Sequence, residues 1–358
     1  MSGRKDLLTP RRHTRRILLG DVPIGAGSPI SIQSMTNTSD TAATIAQIEA
    51  LAAAGCDIVR VAVPDMGVAE ALPRILAAAP VPIIADIHFD HKLALASLVA
   101  GVHGLRLNPG NIGGADKVRE VVAAARERQV PIRIGVNAGS LDKHLLQRYG
   151  VTPQALVESA LAHVKLLENA GYHEMKLSVK ASNVPLTVAA YRLLAQRVDY
   201  PLHLGVTEAG TAYQGIIKSA VGIGTLLAEG IGDTIRVSLT GDPLQEAPAA
   251  RGILRSLGLR SGLEIIACPT CGRTQIDLVR LTNAVEARLT PWRDVDITVA
   301  VMGCVVNGPG EAREADYGIA GGSGEGLLFR RGEIVAKVPE SQLVDALLEL
   351  IEAHTPAP

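Results

Sequence analysis

Three thiols set the first constraint on what this chain can do. Cys268-Pro269-Thr270-Cys271-Gly272-Arg273 is a C-x-x-C pattern, and Cys304 ends the next long apolar run, in Met302-Gly303-Cys304-Val305-Val306-Asn307-Gly308-Pro309-Gly310-Glu311. A structural zinc site commonly takes four protein ligands. No fourth Cys lies in this part of the chain, and no His lies between Cys268 and Glu340, so a tetrahedral Cys/His site cannot be completed locally. A [4Fe-4S] cluster is held by thiolates, and three of them leave one iron for another ligand. Glu311, delivered by the glycine-rich turn after Cys304, is the natural oxygen donor for that iron. Cys56 opens an apolar run with no companion thiol and reads as a packed core residue.

A second set of residues recurs at the ends of β-branched runs: Arg60, Asp86, His88, Arg106, Asn108, Arg133, Asn137, Lys176, Ser178, Lys180, Asn183, His203, Thr207, Glu208, Arg236 and Ser238. Taken singly, any of these arginines is as readily one half of a salt bridge. Their recurrence at strand ends argues for a shared purpose. So many cations gathered in one place call for a polyanion, most simply a diphosphate, since unpaired buried charge is very costly. Arg suits bidentate phosphate oxygens and Lys acts as a point charge. Asp86-Ile87-His88-Phe89-Asp90-His91 could instead hold a divalent metal, but a positioned acid or hydrogen-bonding pair is favoured, because D-x-H alone is a weak metal signal.

The elements that must position these groups repeat one pattern from Pro29 to about residue 255: a short β-branched run, a polar or glycine stop, then an Ala/Leu-rich stretch. The runs begin at Pro29, Cys56, Val81, Gly104, Pro131, His173, Pro201 and Asp233. Parallel strands joined by helices follow from such repetition, and eight of them close a (β/α)8 TIM barrel, whose working residues lie at the C-terminal strand ends. Arg16 to Gly27, with Gly20-Asp21 between apolar runs, reads as a hairpin plugging the barrel's other end. A doubly wound dinucleotide fold loses ground because the first strand runs into Gln33-Ser34-Met35-Thr36-Asn37 with no glycine-rich turn. The sequence divides into a barrel over 1–255, a linker over 256–262 and a small α+β cluster module over 263–358.

Composition narrows the classes. Apolar residues make up 47% of the 358, and 35 basic residues nearly balance 36 acidic ones, so the chain has core material and no bulk positive field. With aromatics at 3%, nucleic acid is not an expected partner. No stretch approaches the roughly 20 apolar residues of a membrane helix. The basic N-terminus has too short an apolar run for a secretion signal. A cytoplasmic protein with reduced thiols is the expectation.

With both sets of residues in view, the chain resembles the 4-hydroxy-3-methylbut-2-enyl diphosphate synthase family along nearly its full length. The resemblance is carried by Pro29-Ile-Ser-Ile-Gln-Ser-Met-Thr36, Ala85-Asp-Ile-His-Phe-Asp90, Leu107-Asn-Pro-Gly-Asn-Ile-Gly113, Arg133-Ile-Gly-Val-Asn137 and Val206-Thr-Glu-Ala-Gly210, together with the two cysteine segments. It implies the compact bacterial form and the isoprenoid-precursor (MEP) pathway. The implied substrate is 2-C-methyl-D-erythritol 2,4-cyclodiphosphate, reductively opened and dehydroxylated with electrons from flavodoxin or ferredoxin. It also implies a homodimer with the site shared between subunits. Glu208 is the candidate for proton transfer to the departing hydroxyl, with Asp86 and His88 beside it. The rivals are a redox-inert phosphate-binding barrel lyase with a structural zinc module, and a simple electron carrier, which would leave the cationic strand ends without purpose.

Overall fold

The computed structural model describes residues 8–274, 276–304 and 313–355. The chain divides into two compact units, Met1–Arg260 and Ser261–Pro358.

In the first unit an antiparallel hairpin, β1 (Ile17–Leu19) and β2 (Val22–Ile24), precedes eight parallel strands. These are β3 (Ser31–Met35), β4 (Ile58–Ala62), β5 (Ile83–Asp86), β6 (Gly104–Leu107), β7 (Ile132–Asn137), β8 (Met175–Lys180), β9 (His203–Leu204) and β10 (Thr234–Ile235). Their order is β8-β7-β6-β5-β4-β3-β10-β9, and a parallel bridge between Leu177 and Leu202 brings the two ends together into a nearly closed barrel. All eight anticipated strands are present. The last two are shorter than their apolar runs, although Arg236 N–H still donates to the Leu204 carbonyl at 3.0 Å.

Helices α1 (Thr41–Ala53), α2 (Met66–Ala78), α3 (His91–Ala100), α4 (Ala115–Glu127), α6 (Pro153–Asn169), α7 (Val184–Ala195), α8 (Ala212–Ala228) and α9 (Glu246–Ser256) follow the strands, with a short extra α5 (Lys143–Tyr149) before α6. Asp40, Asp65, Asp90 and Asn183 each accept a backbone N–H of the helix they precede. The loop that ends a strand therefore also starts the next helix.

Side chains alternate across a strand, and in this barrel the alternation has a chemical meaning. Ile32, Val59, Val61, Ile83, Ala85, Leu105, Ile134, Leu177, Val179 and Ile235 join one apolar core with the helices. The intervening positions, which include Gln33, Arg60, Asp86, Arg106, Arg133, Lys176, Lys180, His203 and Arg236, point inward and are largely polar. A filled barrel usually carries branched apolar residues there. At the N-terminal end the usual chemistry returns: Ile17, Leu19 and Ile24 of the hairpin pack on Ile58 and Ile84. The hairpin thus covers this end with apolar side chains, and the polar positions line a cavity at the C-terminal end.

The second unit is a five-stranded sheet, β11 (Glu264–Ala267), β12 (Thr298–Met302), β13 (Tyr317–Gly321), β14 (Glu325–Arg330) and β15 (Glu333–Pro339), in sequential order. The first three strands are parallel and the rest antiparallel. Helices α10 (Leu278–Arg288) and α11 (Leu343–Glu352) pack on it through Leu281, Val285, Leu347 and Ile351. The sequence places the start of α10 at Thr274. The helix starts at Leu278 instead, because Asp277 caps it by accepting from Arg280 N–H. Strand β13 is not visible in the sequence, since Tyr-Gly-Ile-Ala-Gly is short and flanked by glycine and charge.

Candidate functional site: a cationic barrel mouth and a thiol cluster

At the C-terminal ends of the barrel strands lies a cavity of about 130 Å³ lined by Arg60, Asp86, His88, Arg106, Arg133, Asn137, Ser178, Lys180, Thr207, Arg236 and Ser238. Neighbouring strands carry these residues in register: Asp86 pairs with Arg106, Arg106 with Arg133, and Asn137 with Lys180. Asp86 is buried between two cations, 3.1 Å from Arg106 Nη1 and 3.4 Å from Arg60 Nε. Burial alone would raise its pKa, but Arg60, Arg106, His88 and Arg133 outweigh it and hold the carboxyl at about 2. Asp86 is therefore ionised, which suits a hydrogen-bond acceptor and anchor more than a proton donor.

The cations outnumber their partners. Arg133 is 2% exposed, donates from Nη1 to Ser178 at 3.2 Å, and leaves Nε and Nη2 without a partner among the described residues. Burial, reinforced by Arg60 and Arg106, pushes its pKa well below the ordinary value. Lys180 is likewise pushed well down, by burial and then by Arg133, Arg236, Arg60 and Arg106. Arg60 is lowered to about 10, mainly by burial. Buried guanidinium donors left unpaired beside a positive cavity are arranged for an incoming anion with several oxygens.

In the second unit all three cysteines are free thiols. Cys268 follows β11 and Cys304 follows β12, two parallel neighbours, so both thiols stand at the same sheet edge. The Cys268 sulfur accepts the Gly303 N–H at 3.2 Å. Cys271 lies in the exposed turn three positions on, and its thiol is held below its ordinary pKa, first by hydrogen bonding to the Arg273 backbone and then to the Arg273 side chain. Glu311 lies outside the described residues. Among the described residues, no three His, Cys, Asp or Glu side chains are gathered so as to hold one metal ion. A cluster whose thiolates sit on separate irons needs wider spacing, and a soft, thiolate-prone donor set at one sheet edge fits it.

A family model described as the GcpE TIM-barrel domain matches residues 14–251, and a second, the GcpE protein C-terminal domain, matches residues 264–353. The chain belongs to the GcpE family. A relative from Geobacter sulfurreducens named 4-hydroxy-3-methylbut-2-en-1-yl diphosphate synthase (flavodoxin) is 65% identical, covering 95% of this chain and 97% of its own. One of the same name from Clostridium perfringens is 57% identical, covering 96% and 99%. These names give no support to a redox-inert lyase with structural zinc. Among solved structures, a type I 3-dehydroquinate dehydratase from Clostridium difficile is similar over 68% of this chain and 98% of its own, at 14% identity and a TM-score of 0.52, a likeness of barrel fold alone.

Within this GcpE-family barrel the remaining anticipated residues fall into distinct places. Lys176 and His203 are buried but do not line the cavity, and His203 Nδ1 lies 2.6 Å from Thr234 Oγ1. Asn108 is buried in the loop after β6 and accepts Gly110 N–H. Asn183 does not reach the cavity: its side chain is spent on Leu186 N–H as the cap of α7. Glu208 is exposed, next to cavity-lining Thr207, with a left-handed φ of 53° that a side chain adopts only at a cost. Asp90 and His91 serve the start of α3, Asp90 as its cap and His91 within 3.4 Å of it, and so stand apart from Asp86 and His88.

Two participants have no obvious sequence signal. Glu246 is 1% exposed and takes two hydrogen bonds from Arg236, at 3.1 and 3.2 Å, and one from Ser34 at 2.6 Å. In the sequence it is one acid at the start of a helix, where acids are usually solvated. Met35 receives Arg60 Nη2 on its sulfur at 2.8 Å. Strand parity with Gln33 would have marked it as inward-facing.

Proposed function

We propose that this chain carries out the reaction its GcpE relatives are named for, the reductive opening and dehydroxylation of 2-C-methyl-D-erythritol 2,4-cyclodiphosphate to 4-hydroxy-3-methylbut-2-enyl diphosphate. The observation that carries the reading is the barrel mouth, where buried Arg and Lys donors converge without enough anions to satisfy them. Arg60, Arg106, Arg133 and Arg236 hold the two phosphates, Lys180 adds a point charge, and Asn137, Ser178 and Ser238 complete the hydrogen bonding.

Breaking the ring C–O bond leaves a diphosphate monoester with one more negative charge than the cyclic diester. Fixed cations already aimed at that oxygen stabilise the charge as it develops. Asp86 holds Arg60 and Arg106 in place, and His88, 3.5 Å from Asp86, shares the orienting role. Glu208 donates the proton with which the departing hydroxyl leaves as water. Cys268, Cys271 and Cys304, with Glu311, would hold a [4Fe-4S] cluster, which supplies the two electrons one at a time from flavodoxin or ferredoxin.

Anaerobically prepared protein with reduced flavodoxin should convert the cyclic diphosphate, and it should contain about four irons and four sulfides per chain. Stoichiometric zinc with no turnover overturns the reading. Glu208→Gln should lower kcat with KM little changed, whereas an unchanged kcat removes Glu208 from the reaction. The homodimer with shared sites is tested by mixing Cys268→Ser with Arg133→Ala protein. Random exchange restores about a quarter of the activity if sites are shared and none if they are not.

A further inference from the structure

The barrel interior holds a second set of polar side chains that the proposed reaction does not use. Gln33, Lys176 and His203 are each at most 1% exposed, and none of them lines the cavity. Lys176 Nζ, both amide atoms of Gln33 and His203 Nε2 find no hydrogen-bond partner among the described residues. Lys176 is also the register partner of Arg133, which does line the cavity.

An ammonium at Lys176 would be poorly placed in the empty barrel. The titratable groups that act on it are Arg133 from β7, His203 from β9 and Asp233 just before β10. The carboxylates are engaged elsewhere: Asp86 by Arg60 and Arg106, Glu246 by Arg236 and Ser34, and Asp233 by Thr14, Arg11 and Leu202 N–H. Burial and then Arg133 pull the lysine well below its ordinary pKa, and Asp233 offsets this only in part. A diphosphate entering the cavity beside Arg133, the register partner of Lys176, shifts the balance, because its negative charges offset the Arg133 charge that disfavours the ammonium.

We propose that Lys176 is a charge-compensating residue, uncharged while the mouth is empty and taking up one proton from solvent when a diphosphate enters, so that the ligand and a proton bind together. The proposal rests on reading the mouth as a diphosphate site. It makes the ligand tighten the positive floor beneath itself, instead of meeting a charge the empty barrel would have to bear.

The test is calorimetric titration of the anaerobically prepared full-length protein with dimethyl diphosphate carrying one methyl ester on each phosphorus. The oxyanions of this probe do not themselves titrate near neutrality. Comparing two buffers of different ionisation enthalpy gives the proton count. Uptake approaching one proton per site is expected, with affinity falling by up to about tenfold per pH unit as pH rises. Lys176→Met should still bind, with uptake near zero and a flattened pH dependence, while His203→Gln keeps the uptake. Binding by the unmodified protein without proton uptake overturns the proposal and leaves the diphosphate reading standing, whatever the variants do. Uptake that survives Lys176→Met overturns it as well. No binding at all overturns both.

Discussion

Arg106 Nη1 donates to Asp86 Oδ1 at 3.1 Å, across two strands whose register sets the residues side by side. With Arg60 on the other oxygen, one carboxylate restrains two guanidiniums that would otherwise repel. Asp86→Asn should therefore destabilise the protein by about 3 to 5 kcal/mol in urea unfolding, the usual cost of stripping one partner from a buried ion pair. The sign with pH follows from the depressed pKa. The contribution is present above the ordinary carboxylate range and is lost as pH falls through about 2. A variant within about 1 kcal/mol of the parent would show that water already screens the site.

Glu246 does for Arg236 what Asp86 does for Arg60 and Arg106, but from a helix. Glu246→Gln keeps the shape and turns an amide N–H2 toward guanidinium donors. A loss of about 2 kcal/mol or more is expected, together with weaker binding of dimethyl diphosphate, because Arg236 lines the cavity. Unchanged affinity alongside lost stability would confine Glu246 to a structural role.

Much of this arrangement is legible in the sequence because the barrel repeats. Each β-branched run ends in a polar residue, and strand parity then sends Arg60, Asp86, Arg106 and Arg133 to one interior. Depth is not legible. Lys176 and Lys180 share a strand and a face, and whether a lysine lines the cavity or lies buried away from it depends on strand stagger, which no local pattern records. Asn183 misleads for a related reason: an Asn after a strand is equally a ligand contact or a helix cap, and here the following Val-Pro opening of α7 takes it as a cap. Glu246 is invisible because an acid opening a helix is usually solvated, and its hydroxyl partner Ser34 is far away in the chain.

Two glycines make the packing around these cations testable. A Cβ at Gly135 would sit 2.7 Å from Arg106 Nε, whereas one at Gly205 would sit 2.5 Å from Lys180 Nζ and 2.8 Å from the Arg236 backbone oxygen. Gly135→Ala should mainly displace a side chain and weaken diphosphate binding at a modest cost in stability. Gly205→Ala meets backbone and should cost about 1 to 3 kcal/mol, as overpacking does. Reversed outcomes in thermal unfolding and ligand titration would mean that Arg106 is held more rigidly than the strand itself.

The four thiols should be distinguishable before any cluster is added. Cys271 is exposed and its pKa is lowered, so in apoprotein its thiolate persists to lower pH than in an ordinary cysteine, and iodoacetamide should label it first. Cys56 is the opposite case: burial, followed by Asp57, raises it to about 12, and it should resist labelling until the barrel unfolds. Cys268 and Cys304 are partly exposed and should fall between. Peptide mass spectrometry against time reads the order directly. After reconstitution with iron and sulfide the same reagent should spare Cys268, Cys271 and Cys304 together, since thiolates bound to iron are poor nucleophiles. Serine at any of the three should abolish the brown colour, and Cys56→Ser should keep it. Protection of Cys268 and Cys271 with Cys304 still labelled would remove Cys304 from the ligand set and require a different third donor.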